Sequence, residues 1–358
     1  MIKWRERTES MPFVRGLRAF FASRWYLLLI VFLAAVSYAT GGERVVWSIF
    51  VFFAAVAMLV CPDLLPVVPP TFAAVFCLSV RHAPMRPTYS GYLFTGRGLV
   101  VIIILGAIVV LSFLAHCILF GVRLPENTGK PALAPFLLPL TAVLLLNGLG
   151  QGGYSPKNLV FGAITAFCWC GLYFVYALQL PRGEKTKEYI FDGCFAIAWL
   201  LLFELGYVYM TNGVVKNGAV DVSKIVTGWG IHNGIGIMFA LLIPLMLRMA
   251  AKRRRAPLYY LTAVALLVGI FLTTSRGSLL VGTGAFLTGS VILCFTGENR
   301  RVNRLMFALT LVLAAVALLG FQEQIFTFLP RFRTDGLDDN GRFDLWREGW
   351  HLFLGAPI

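Results

Sequence analysis

The sequence predicts an all-α, polytopic transmembrane bundle of about eleven helices, with an outer loop that carries an amphipathic helix. Of its 358 residues, 58% are hydrophobic and only 13% are charged. The mean hydropathy is +0.79, whereas soluble domains carry about 25% charged residues. Apolar runs of membrane-spanning length also recur along the whole chain, so most of it has no water-facing surface.

The apolar runs follow one another in a simple order. They are Trp25–Tyr38, Val45–Val60, Leu64–Val80, Leu99–Gly121, Ala132–Leu149, Leu159–Leu180, Tyr189–Met210, Val226–Met249, Leu258–Thr273, Leu279–Phe295 and Leu305–Phe321. Leu64–Val80 contains three prolines, so a re-entrant segment is the alternative there. The basic N-terminus resembles a signal peptide, but the further apolar runs favour an uncleaved first crossing.

Basic loops set the expected orientation, because Lys and Arg concentrate on the cytoplasmic side. With the N-terminus cytoplasmic, the basic loops after Leu180, at Ala251–Pro257 and at Gly297–Arg304 all lie inside. The basic loop Arg81–Gly98 disagrees, since it is placed outside. The net charge of +14 then reflects topology and attraction to membrane lipids, and nucleic acid is not an expected partner.

Residues 1–321 are expected to form the transmembrane domain, and residues 322–358 to begin a large outer loop. From Asn340 onward this loop has helical periodicity. Its apolar stripe is Phe343, Trp346, Trp350 and Phe353, and its polar face is Asp344, Arg347, Glu348 and His351. Such a helix lies flat on a membrane surface, and Arg342 stands at its N-terminus, where an anion is favoured.

Neither a disulfide framework nor a metal centre is indicated, and we expect no cofactor. The seven cysteines lie within or at the ends of apolar runs, where packing is their usual role. The acidic residues between Asp335 and Asp344 lack the spacing of a calcium loop and suggest turns instead.

Arg276 is the most informative single residue. It lies at the outer end of the Leu258–Thr273 run, on the side where basic residues are disfavoured. Thr273, Thr274, Ser275, Gly277 and Ser278 surround it with hydroxyls and exposed backbone. A guanidinium in this setting is suited to bidentate capture of phosphate. The alternative is an arginine that anchors its helix at the interface.

Three other polar residues are expected near this outer side. Glu204 is costly in an apolar helix, and three roles remain open: an ion pair with an arginine, contact with an acceptor, or a structural hydrogen bond. His232 and Asn233 are placed to line the same cavity. His116 is expected to pack or to bond between helices.

Four short motifs stand out in the C-terminal part of the chain: the polar stretch Trp229–Gly236, Ser275-Arg276-Gly277, Arg342 with Trp346, and Gly355-Ala356-Pro357. Their order resembles the O-antigen ligase and polymerase superfamily. The resemblance extends from about Gly228 to the end, and the N-terminal half matches only in hydropathy. The family pattern continues into further outer loop, a histidine thought to act in catalysis, and more membrane helices. By this comparison the chain is expected to be a C-terminally truncated copy whose own activity is in doubt.

The resemblance implies a metal-independent glycosyltransferase in the bacterial cytoplasmic membrane, with its active site facing outward. It would move a glycan from a polyprenyl diphosphate carrier to a hydroxyl of a glycan, lipid or protein acceptor. Arg276 and Arg342 are the expected catalytic cations. The expected substrate-binding residues are Ser275, Gly277, Ser278, His232, Asn233, Glu204, Arg331, Arg333 and Trp346.

Two other classes remain as alternatives. A polysaccharide or lipid transporter or flippase would need a polar pathway across the whole bilayer, often in two related halves. A non-catalytic assembly protein of a polysaccharide export system is the third option, and a downstream sequence with a histidine-containing outer loop and another crossing would favour the enzyme instead.

The predicted orientation leads to a labelling test. In a variant without native cysteines, an impermeant thiol reagent added from outside should label a cysteine at Gly336 and not one at Arg254, because the basic loop stays inside. Labelling at Arg254 from outside would reverse the orientation and remove the argument that Arg276 is on a disfavoured side.

Overall fold

The structure is a computed structural model that describes residues 11–76, 96–121, 139–142, 180–181, 183–228, 230–329 and 342–355. These residues form an all-α bundle with two small β-hairpins, which confirms the predicted fold class. Seven of the described helices are long and apolar enough to cross a membrane, or up to eight if a bent pair counts as one span. The predicted runs Ala132–Leu149 and Leu159–Leu180 lie almost wholly outside the described residues.

The helices are numbered here in chain order through the described parts of the sequence. The first five are α1 (Pro12–Phe21), α2 (Arg24–Thr40), α3 (Glu43–Val60), α4 (Val68–Phe76) and α5 (Gly96–Phe120). The others are α6 (Glu184–Thr211), α7 (His232–Lys252), α8 (Ala256–Thr273), α9 (Arg276–Phe295), α10 (Arg300–Phe328) and α11 (Arg342–Gly355). Between α6 and α7 lie two antiparallel hairpins, β1 (Val215–Lys216) with β2 (Ala219–Val220) and β3 (Val226–Thr227) with β4 (Gly230–Ile231).

The N-terminal helices α1 and α2 meet at a bend of 62°. Ser23 starts α2, and its side-chain oxygen accepts a hydrogen bond from the Tyr26 N–H at 3.3 Å. This cap satisfies an amide that the helix itself leaves without a partner. Because of the bend, α1 points away from the axis of α2. The Arg18 Nε of α1 donates to the Val60 carbonyl at the end of α3.

The prolines between α3 and α4 do not stop the chain from returning across the bundle. Nδ1 of His116, near the end of α5, lies 2.8 Å from the Met58 carbonyl oxygen, near the end of α3. α3 and α5 therefore run in the same direction, and residues 61–76 turn the chain back beside α3. A 3-10 turn at Leu65–Val67 and α4 begin this return, and the Trp47 indole donates to the Ala74 carbonyl at 2.8 Å.

Glycines let α7, α8 and α9 pack closely. A Cβ added to Gly269 of α8 would lie 2.7 Å from the ring of Phe239 on α7. A Cβ on Gly289 of α9 would lie 2.6 Å from a methyl of Leu247. Gly282 of α9 similarly faces Ile270 at a distance too short for a side chain. Small residues at such positions are typical of membrane helix interfaces, where dispersion contacts replace the hydrophobic effect.

One end of the bundle is held by ion pairs and is called the Arg253 face. The Arg253 guanidinium binds the carboxylates of Glu188 and Asp192 on α6. Arg24 at the start of α2 also donates to Asp192, at 2.9 Å. Asn299, before α10, donates to the Arg253 carbonyl at 2.8 Å. Two of the predicted basic loops thus meet at this face.

The opposite end is called the Arg276 face. The Tyr207 hydroxyl donates to the Ala39 carbonyl at 3.0 Å, which joins the ends of α6 and α2. The Tyr209 hydroxyl donates to the Leu272 carbonyl at 2.6 Å, which joins the ends of α6 and α8. α7 and α9 begin at this same face.

One predicted boundary was wrong, and another coincides with a kink. The run Val226–Met249 does not begin as helix, because β3 and β4 occupy its first residues and Gly230 has a φ of 137°. α10 continues past Phe321 to Phe328, with a kink at Phe321, whose φ and ψ are −129° and 18°. Apolar composition does not distinguish a buried hairpin from a helix, and it does not show where a helix leaves the membrane.

The close α8–α9 contact predicts a stability difference between two glycines of α9. Gly282→Val should destabilise the bundle by about 2 kcal/mol, since the new side chain must displace Ile270. Gly284→Val is the matched control, because a Cβ there meets nothing within 4 Å. Thermal unfolding in detergent measures both, and equal midpoints would contradict the packing described.

Candidate active site at the Arg276 face

The turn between α8 and α9 is buried and rich in hydroxyl groups. Thr273, Thr274, Ser275 and Ser278 are all buried. Thr274 has a φ of 54°, a conformation that costs free energy for a β-branched residue. Its N–H donates to the Phe271 carbonyl at 3.0 Å, which closes the end of α8. The chain thus reverses sharply and starts α9 without an intervening loop.

The Ser275 side chain does not cap α9. Ser275 occupies the N-cap position, yet its hydroxyl donates to the Ser278 hydroxyl at 2.8 Å, and no side-chain cap bond is formed. The first amides of the helix are therefore not satisfied by this serine. Such amides, together with the helix dipole, favour an anion at this position.

Arg276 is the first residue of α9 and is half-buried. A cation at a helix N-terminus is disfavoured by the helix dipole, by roughly 0.3–1 kcal/mol. Gly277 beside it is exposed, and a Cβ there would meet nothing within 4 Å. Gly277 therefore leaves room at the start of α9, where a bound anion would interact favourably with the helix dipole.

α7 begins directly against this turn. A Cβ added to Gly236 would lie 2.8 Å from the Ser278 hydroxyl oxygen and 3.0 Å from the Ser275 Cβ. Gly236 is about one helical turn from His232 and Asn233, the half-buried first residues of α7. The structure thus brings the predicted residues of α7 together with those of the α8–α9 turn.

Glu204 lies on the other side of the β3–β4 hairpin from the start of α7. Its side chain is fully buried, and Oε2 accepts the Gly228 N–H at 3.1 Å. Gly228 in turn contacts the end of α4, since a Cβ there would lie 2.8 Å from the Phe76 carbonyl oxygen. The His232 N–H donates to the Ile225 carbonyl at 3.1 Å, which links this hairpin to α7.

Of the three roles left open for Glu204, the structure shows the structural hydrogen bond. Glu204 makes no ion pair with an arginine among the described residues. Oγ1 of Thr274 is buried and has no hydrogen-bond partner within the described parts of the chain, and the carboxylate of Glu204 and the hydroxyl of Thr227 are buried next to each other. Buried polar atoms of this kind usually meet water or a ligand.

The second predicted catalytic arginine lies on a separate element. Arg342 is the first residue of α11, as the periodicity predicted. All side chains from Phe343 to Gly355 are exposed, and Trp346 is 65% exposed, so none of them is buried against the α7–α9 site. Arg331 and Arg333 lie outside the described residues. Arg342 therefore starts a separate helix, and its side chain lies outside the described residues.

The close approaches made by Gly228 and Gly236 were missed from the sequence. The spacing of glycines at 228, 230, 234 and 236 was the available signal, because repeated glycines mark places where backbones come close. Within the described ranges, His, Cys, Asp and Glu form no group of three that would bind a metal ion.

The fold and this site define a multi-pass helical membrane protein with an arginine-bearing, hydroxyl-lined site at one end of the bundle. Residues 261–358 match the family model described as O-antigen ligase, which confirms the family resemblance drawn from the motifs. The match begins within α8 and includes both Arg276 and Arg342, whereas Glu204, His232 and Asn233 lie before it. No curated protein and no solved structure matches the chain.

The contact at Gly236 predicts a local effect at the turn. Gly236→Ala should raise amide hydrogen exchange in peptides covering Thr273–Leu279, because the new Cβ must displace Ser278. Gly277→Ala in the same turn is the control, since its Cβ meets nothing within 4 Å. Exchange followed by mass spectrometry measures the difference, and unchanged protection in Gly236→Ala would refute the close approach.

Proposed function

We propose that this protein transfers a glycan from a polyprenyl diphosphate carrier to an acceptor hydroxyl on the outer side of the bacterial cytoplasmic membrane. The observation that carries the proposal is the O-antigen ligase match, which spans a buried hydroxyl-rich turn with an arginine at a helix N-terminus. The family indicates a glycosyltransferase class, and the turn supplies the chemistry that a diphosphate leaving group requires.

In this reaction the acceptor oxygen attacks the anomeric carbon of the carrier-linked sugar. The bond between that carbon and the phosphate oxygen breaks, and its electron pair stays on the diphosphate. The acceptor hydroxyl gives its proton to a general base, a role we assign to none of the residues above. Negative charge therefore grows on the diphosphate as the bond breaks, and fixed cations there stabilise the transition state.

Three features of its surroundings support this proposed role of Arg276. Its helix N-terminus favours an anion, and Gly277 leaves open space beside it. The hydroxyls of Ser275 and Ser278 are buried beside it, in a site with little competing water. His232 and Asn233 lie close enough, through Gly236, to contact the bound donor or acceptor.

Arg342 is proposed to supply the second cation when α11 approaches the Arg276 face. α11 presents an exposed aromatic surface, with Phe343 and Trp346 rings 5.4 Å apart and Trp350 stacked on Phe353 at 5.5 Å. Aromatic rings of this kind suit the membrane interface or stacking on sugar rings. Arg331 and Arg333 are proposed to add to the same positive surface.

Arginine-to-lysine substitutions test the two proposed cations. Arg276→Lys and Arg342→Lys should each lower transfer about a hundredfold, or roughly 3 kcal/mol, because lysine cannot form the bidentate contact. The double variant should be far less than multiplicatively slower, since the two residues act as one unit. Transfer from a purified polyprenyl-diphosphate glycan, with the full-length protein in liposomes, measures these rates.

Arg300→Lys is the matched control. Arg300 is also the first residue of a helix, α10, but it lies at the Arg253 face and is exposed. Its substitution should leave transfer unchanged. Wild-type rates in Arg276→Lys would show that this arginine only anchors its helix, and the proposed clamp would fail.

A further inference from the structure

A cavity lies at the Arg253 face, away from the candidate active site. It has a volume of about 610 Å³ and is formed by α1, the segment between α3 and α4, and the first turns of α6. Several of its charged residues are already paired. Asp192 and Glu188 bind Arg253, Arg24 also binds Asp192, and Glu184 binds Lys187 at 2.8 Å.

Three charged side chains of this lining have no ion-pair partner among the described residues: Arg18, Lys185 and Asp63. The Arg18 Nε donates to the Val60 carbonyl at 2.8 Å, so the guanidinium is held in place while its terminal nitrogens remain available. Asp63 Oδ1 accepts a hydrogen bond from the Leu65 N–H at 3.0 Å, and Oδ2 is left to accept one from a ligand. The cavity thus offers two cations and one carboxylate oxygen.

The opposite charges lie close together. Burial, which is the largest cause, and Asp63 raise the pKa of the Cys61 thiol, Arg18 lowers it, and the net value is about 12. Both side chains are therefore within electrostatic reach of one neutral thiol in the cavity wall. A ligand that carries only negative charge binds Arg18 and Lys185 but offers no hydrogen-bond donor to Oδ2 of Asp63.

An apolar groove of about 120 Å³ adjoins the cavity and shares Tyr189 with it. The groove lies between α2, α4 and α6, and its walls include Leu27, Ile30, Val68 and Phe72. Its wall residues Phe72 and Ile190 are 49% and 38% exposed, so the groove opens to the side of the bundle. Leu27 is one helical turn from Arg24, which lines the charged cavity. The charged cavity and the apolar groove therefore lie next to each other, as a ligand with a charged headgroup and an apolar tail requires.

From this juxtaposition we propose that the cavity and groove form a binding site for a glycerophospholipid whose headgroup carries a phosphate and a primary ammonium. The phosphate binds Arg18 and Lys185, the ammonium donates to Asp63, and one acyl chain occupies the groove. Arginine suits the phosphate because its fork binds two oxygens. A quaternary ammonium cannot donate a hydrogen bond to Asp63, and a glycerol headgroup has no positive charge to offer it. The proposal is independent of the transferase function.

Binding of defined lipids to the purified full chain in detergent tests the headgroup. Native mass spectrometry should show phosphatidylethanolamine binding about tenfold more tightly than phosphatidylglycerol or phosphatidylcholine of the same acyl chains. Arg18→Gln should lower this affinity about tenfold, and Arg15→Gln, on the same helix but outside the lining, should not. Asp63→Asn keeps an acceptor for the Leu65 N–H and should abolish the preference for ethanolamine. Equal affinities for the three lipids, or a preference that persists in Asp63→Asn, would overturn the assignment.

A second comparison tests the groove and separates a lipid from a soluble phosphate compound. Gly193 lines the groove, and a Cβ there meets nothing within 4 Å, so Gly193→Leu should fill the groove without disturbing the fold. Gly206→Leu on the same helix is the control, with equally open space outside the groove. We expect about tenfold weaker phosphatidylethanolamine binding only in Gly193→Leu. Glycerophosphoethanolamine, which lacks acyl chains, should bind at least a hundredfold more weakly than the lipid. Equal binding of the two, or unchanged lipid binding in Gly193→Leu, would refute the proposed site.

Discussion

The close packing of α7 against α8 and α9 is the constraint on which the candidate site depends. Glycines at the contacts allow helix backbones to approach more closely than any larger residue permits. In a membrane this closeness matters because lipid is as apolar as the helices, so dispersion between well-fitted surfaces provides much of the stabilisation. At the Arg276 face the same close packing brings Gly236 of α7 into contact with Ser278 of α9. The polar residues of two helices therefore share one site because the helices themselves are in contact.

Much of this architecture follows from the amino-acid sequence. The positions of α6, α8 and α9 follow from apolar runs bounded by polar or basic residues, since a helix is the structure that satisfies its own backbone in lipid. The helix after Asn340 follows from aromatic residues at helical spacing. The family resemblance follows from short motifs in a fixed order, and the O-antigen ligase match supports it.

Other features depend on contacts between distant residues and were not predictable. Val226–Ile231 is apolar enough for a helix. It contains the β3–β4 hairpin instead, in which the Gly228 N–H donates a hydrogen bond to the Glu204 carboxylate on α6. The role of Glu204 was left open for the same reason, because its partner is a backbone group that no residue type reveals. Arg276 was identified because its charge conflicts with its surroundings.

Asp192 accepts hydrogen bonds from arginines on two different segments, Arg24 and Arg253. This shared carboxylate ties α2, α6 and the end of α7 together at one end of the bundle. At the other end α6 is joined to α2 and α8 by tyrosine hydroxyls bound to backbone carbonyls, and each such bond is weaker than a charge-assisted one. Loss of the Asp192 carboxylate would therefore withdraw an acceptor from two arginines at once and loosen three segments in a single step.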